Sequence, residues 1–196
     1  MQWCHDRPSA AVVWAAMGFV FVAGCSPALD WRTARFEAAP VEATLPCKPE
    51  RATREVPLRG PQQPPVALHM LSCQAAGRTF AVAAVRLPDA PAAGAAAAST
   101  PPMDWIETWQ RASWATLRVD AGAAPAPAGW QAVPCALRDA AWSRCWRGSG
   151  QAPDGQPVAA ELHWASNGRW LVQMALYGPS LPPEAHALFF GGVALR

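Results

Sequence analysis

The sequence predicts an α+β domain, an antiparallel sheet with two helices packed on it. Three observations predict it. Short apolar runs recur on both sides of one amphipathic segment at 101–118. Turn formers separate the runs, as in Gln74-Ala-Ala-Gly77 and Ser166-Asn-Gly168. A second short helical pattern stops at Gly191-Gly192. The order strands, helix, strands, helix suits segregated layers rather than a βαβ alternation. Of the 196 residues 52% are apolar, but 43 of those are Ala, which leaves enough larger side chains for one core. Sixteen basic against fourteen acidic residues give a net charge of +2, which argues against a nucleic-acid partner. There is no run of eighteen apolar residues, so no ordinary spanning helix is expected.

The first element is an address rather than a fold. Arg7 and the amino terminus precede an apolar stretch from Ala10 to Val22, of signal-peptide length and too short to span. Val22-Ala23-Gly24-Cys25 follows it. This tetrapeptide resembles the lipobox of bacterial lipoproteins. The resemblance implies that 1–24 is removed and that the Cys25 thiol receives diacylglycerol. It further implies that the new amine is acylated, with palmitate the expected chain. Three acyl chains anchor firmly, since one alone binds a membrane only marginally. Ser26 stands where Asp favours inner-membrane retention in enteric-type sorting, so the resemblance implies a periplasm-facing place in the outer membrane. The inner or plasma membrane is the other location open to such a protein. Residues 25–40 then read as a lipidated tether and 41–196 as the single domain.

Within that domain, Val41–Cys47 and Arg54–Leu58 are short strands bounded by prolines, and 60–65 is a proline-rich loop. Val66–Cys73 and Arg78–Leu87 read as a hairpin. The segments 89–102 and 121–129 are low-complexity Ala/Pro loops. Between them the helix is capped by Thr100, with Pro101 in its first turn. Trp105, Ile106, Trp109, Ala112, Ser113, Thr116 and Leu117 share its inner face, while Asp104, Glu107, Arg111 and Arg118 share the other. Trp114 falls among those charges. It is a candidate contact residue unless Arg111, Arg118 or the neighbouring Ala-rich loop covers it.

Trp130–Ala136, Ala141–Arg147, Val158–Trp164 and Arg169–Tyr177 form a meander. A three-residue loop at 166–168 pairs Ala160 with Met174, Leu162 with Val172 and Trp164 with Trp170. That register gathers the apolar residues on one face and sends Glu161 and His163 to the outer one. Ser180–Glu184 opens the last helix, with Ala185, Leu188 and Phe189 inward, and 193–195 is extended.

If the signal is cut before a lipidated Cys25, four cysteines remain: Cys47, Cys73, Cys135 and Cys145. An even number in an exported chain favours disulfides. Cys47–Cys73 and Cys135–Cys145 are the preferred pairs, because each joins consecutive strand candidates. Four reduced thiols and a zinc site compete with that reading. The lack of any C-x2-C spacing speaks against zinc, and no metal or cofactor is expected.

The layout resembles the Mog1/PsbP-like fold. Leu45-Pro-Cys-Lys-Pro-Glu50 and Phe189-Phe-Gly-Gly-Val-Ala-Leu195 are similar to openings and endings of small bacterial lipoproteins with that layout. The resemblance implies an assembly or binding module without a shared catalytic motif. No catalytic motif is found in the sequence itself. The expected function is therefore a membrane-anchored, non-catalytic domain that meets a ligand or an envelope protein. Its contacts would lie near Trp114 or a Trp142–Arg144–Trp146 strip on one strand face. A dispersed active site would instead bring at least two of His69, His163, Glu161 and Asp104 together in a deep pocket. A purely structural envelope protein is the third reading. Lys48, Arg51, Arg54 and Arg59 read as a solvated strand edge.

Overall fold

The computed structural model describes residues 28–58, 60, 62–88, 102–120, 122, 126–137 and 140–195. The signal segment 1–24, Cys25, Arg59, the 89–101 stretch with Thr100 and Pro101, and part of 121–129 lie outside the described residues.

Among the described residues ten strands and two helices follow one another: β1 (Arg32–Arg35), β2 (Val41–Leu45), β3 (Glu50–Val56), β4 (Val66–Ala75), β5 (Arg78–Arg86), α1 (Met103–Thr116), β6 (Gln131–Ala132), β7 (Trp142–Gln151), β8 (Pro157–Ser166), β9 (Trp170–Tyr177), α2 (Pro183–Phe190) and β10 (Val193–Leu195). Seven strands form one sheet in the order β3-β4-β5-β9-β8-β7-β6, and three form another in the order β1-β2-β10. Each strand pair is antiparallel. The architecture is α+β but dominated by sheet.

The large sheet is the middle layer, and both of its faces are dry at the centre. On one face, Trp105, Ile106, Trp109, Trp114 and Leu117 from the α1 segment pack on Val85, Leu162, Trp164, Leu171 and Ala175. On the other, Val41, Ala43, Leu45, Phe189, Phe190 and Val193 pack on Phe80, Val82, Val172, Met174 and Leu176. Strand alternation thus feeds two cores rather than one core and water. The Cys47–Cys73 disulfide ties the end of β2 to β4, and so the small sheet to the large one. Cys135–Cys145 ties the segment after β6 to β7.

Several expectations change on this plan. The stretch expected as an irregular tether carries β1, and Ala34, Phe36 and Ala39 belong to the core. The strand expected over 130–136 shrinks to β6. The β8–β9 register is shifted: Ala160 pairs with Tyr177, Leu162 with Ala175 and Trp164 with Gln173. Ser166 pairs with Leu171, and residues 167–169 connect β8 to β9. Asn167 Oδ1 accepts from the Arg169 and Trp170 amides there, and Gly168 takes a φ of +87°. The expected register rested on sorting apolar from polar faces. That criterion fails where both faces are covered.

Helix phase moves as well. Gln110 and Trp114 turn inward while Ala112 and Thr116 are exposed. Trp114 is therefore no contact residue: it is 2% exposed, with its ring edge-on to Trp130 and Trp164. In α2, Phe190 takes the inner position expected for Leu188, which stands 48% exposed.

Candidate functional site

Two features stand out: a buried polar cluster under α2 and a cleft at one end of the sheet. The cluster begins on β8. Glu161 and His163 are two residues apart on a strand, so they share a face, the one covered by α2. The register places Arg147 of β7 opposite Glu161 and Cys145 opposite His163. His186, on the first turns of α2, closes the group from above.

The Glu161 carboxylate is shared among three cationic or imidazole partners. Oε2 accepts from Arg147 Nε at 2.8 Å and pairs with its Nη2 at 2.7 Å. Oε1 lies 2.8 Å from His163 Nε2 and 2.7 Å from His186 Nε2. Glu161 is 4% exposed and His163 fully buried, whereas the His186 side chain is 24% exposed. Phe190 lies under both rings: it stacks on His163 at 3.9 Å and meets His186 at 4.7 Å. Burial alone would raise the Glu161 pKa, but hydrogen bonds from His163, His186 and Arg147 outweigh it and hold it down at about 2. Burial pushes the His163 pKa below its ordinary value, against the pull of Glu161. Glu161 is therefore a carboxylate, and His163 a neutral ring donating through Nε2. Its Nδ1 is buried without a hydrogen-bond partner.

The outer, solvated face expected for Glu161 and His163 is thus corrected, for α2 and the small sheet cover it. The dispersed-site reading is met only in part. Glu161 and His163 come together, but His69 is on β4 beside Thr53, and Asp104 is exposed on α1. His186 completes the cluster unforeseen. The pair Glu161-x-His163 opposite Arg147 was a usable signal, but nothing in the spacing pointed to His186 on another layer.

The cleft has a volume of about 730 Å³. It lies between the β4–β5 turn (Gln74 to Thr79), the end of α1 (Thr116, Leu117) and the β7–β8 turn (Ala152, Pro153). Val158 and Tyr177 line it too. The Arg78 guanidinium is committed to the carbonyls of Ala76, Pro179 and Ser180. Tyr177 stands beside it, and burial pushes its pKa up to about 12.

The Trp142–Arg144–Trp146 strip lies on the α1 side and is half-buried, neither fully wet nor fully core. The Arg144 guanidinium sits 5.6 Å over the Trp142 ring, and its Nη1 reaches Gln110 Oε1 at 3.4 Å. The expected basic edge is β3, where Arg51 and Arg54 are exposed. No family model matches the chain, and no curated protein matches it.

Proposed function

We propose that this chain is an exported lipoprotein, anchored in the outer membrane by lipid on Cys25, whose domain binds a small amphipathic ligand or an envelope partner without catalysis. The cleft carries the binding part of this reading. Its volume lies in the range of small-molecule sites, and its lining sets Leu117, Val158 and the Tyr177 ring beside the polar Gln74, Thr79 and Thr116, which suits an amphipathic ligand. The Glu161 cluster supports a non-catalytic role, because its carboxylate oxygens are already engaged and none of its members lines the cleft. The half-exposed Trp142–Arg144–Trp146 strip is the second surface open to a partner.

Export and anchoring rest on the lipobox resemblance. Two disulfides suit an oxidising compartment. Among the described residues no helix is long and apolar enough to cross a membrane. β1 begins seven residues after Cys25, so the domain sits within roughly 25 Å of the lipid even on an extended tether. The Mog1/PsbP-like layout fits a sheet with helices on it and remains part of the proposal.

The test is a titration of the unlipidated Cys25→Ala form with an amphipathic fluorophore, anilinonaphthalene sulfonate. One saturable site per chain is expected. Filling the cleft by Ala152→Trp should weaken it at least about tenfold, ~1.4 kcal/mol. Tyr177→Phe should leave stability within about 0.5 kcal/mol yet weaken a ligand that hydrogen-bonds there by ~1 kcal/mol. Saturable binding untouched by Ala152→Trp would move the site elsewhere.

A further inference from the structure

We propose that Glu161 Oε1, His163 Nε2 and His186 Nε2 bind one divalent transition-metal ion of the zinc class, which fastens α2 to the large sheet. The inference is independent of the cleft. The three atoms lie within 4.8 Å of one another, and two imidazoles with one carboxylate are a donor set that zinc accepts. At bond lengths of about 2.0–2.2 Å, the ligand atoms of a tetrahedral zinc sit roughly 3.3 Å apart. The two Glu161 contacts of 2.7 and 2.8 Å must open by about half an ångström, and the two imidazole nitrogens, within 4.8 Å of each other, must settle at the same spacing.

The surroundings favour that exchange. Glu161 and His163 are fixed on β8, an interior strand of the large sheet, whereas His186 is partly exposed on a two-turn helix and is the ligand able to move. Arg147 holds Oε2 through two nitrogens and so keeps Oε1 turned toward the imidazoles, the role outer partners play for ligating carboxylates. Its own charge stands at a side chain 52% exposed, where solvent screens it from an added cation. Phe190 fixes the planes of both rings. Each ring would ligate through Nε2 as the Nδ1–H tautomer, which for His163 places a proton on a buried Nδ1 that has no acceptor among the described residues. The fourth position opens past His186 toward solvent and takes a water. The metal's role is to hold the layers together.

The test uses the untagged full chain, membrane-extracted and stripped with EDTA, then titrated with Co²⁺ and Zn²⁺. One equivalent of Co²⁺ should give the visible absorption of a four- or five-coordinate site. Zn²⁺ should displace it and raise Tm. His186→Ala, at a partly exposed position that leaves the fold intact by circular dichroism, should weaken binding at least tenfold, and His69→Ala should not. Two results would overturn the site: no saturable metal binding by the folded protein, or binding that His186→Ala leaves unchanged.

Discussion

Replacing Glu161 by Ala should cost about 3 kcal/mol of stability, because it leaves the buried His163 Nε2 and the partly buried His186 Nε2 without their acceptor and releases the exposed Arg147. The conservative Glu161→Gln isolates the charge. The folded protein holds this carboxyl near 2 against an ordinary 4.5. Its ionised form thus contributes stability that is complete above pH 4.5 and lost as pH falls toward 2. The size is on the order of 3 kcal/mol. His163 acts in the same direction: its folded pKa is depressed by burial below 6.5. Its contribution is complete above pH 6.5 and is lost as the pH falls further. With EDTA present, urea unfolding of the wild type should weaken steadily from pH 7 to pH 3. Glu161→Gln should track that decline down to about pH 4.5 and then flatten. Parallel profiles throughout would show that the carboxylate is not held by its neighbours.

The disulfides should have separable effects. The Cys47–Cys73 bond spans 26 residues and Cys135–Cys145 spans 10. Loop-closure entropy assigns them roughly 3.5 and 2.7 kcal/mol. The double Cys47→Ala/Cys73→Ala variant should lower Tm by about 7–14 °C, and Cys135→Ala/Cys145→Ala by somewhat less. The first bond also joins the two sheets, so its loss should loosen β1, β2 and β10 before the large sheet. Hydrogen exchange that accelerates selectively in those three strands would show it; uniform acceleration would not.

Most elements were legible because their local signals were strong. Gly77 marked the β4–β5 turn, and Trp105, Ile106 and Trp109 marked the inner stripe of α1. The disulfide pairing followed from strand neighbours. β1 was not legible, since Arg-Thr-Ala-Arg turns one small apolar residue inward and has no usable period. The register of β8 on β9 was hidden for another reason. Leu162 and Trp164 feed one core, while Ala165 and His163 face the other side of the sheet, so a sorting of wet from dry faces had nothing to sort. The same assumption put Glu161 and His163 in water and concealed the candidate site. Trp114 falls among charged residues along the helix, yet the sheet's own Trp164 receives it.

The anchored-lipoprotein reading is tested most directly by the intact mass of the membrane-extracted protein, measured without reductant. The account predicts a chain that begins at Cys25, carries the mass of its lipids, and lacks the four hydrogen atoms removed in forming two disulfides. A chain without lipid, cut elsewhere or still carrying residues 1–24, would contradict the anchor on which the proposed function stands.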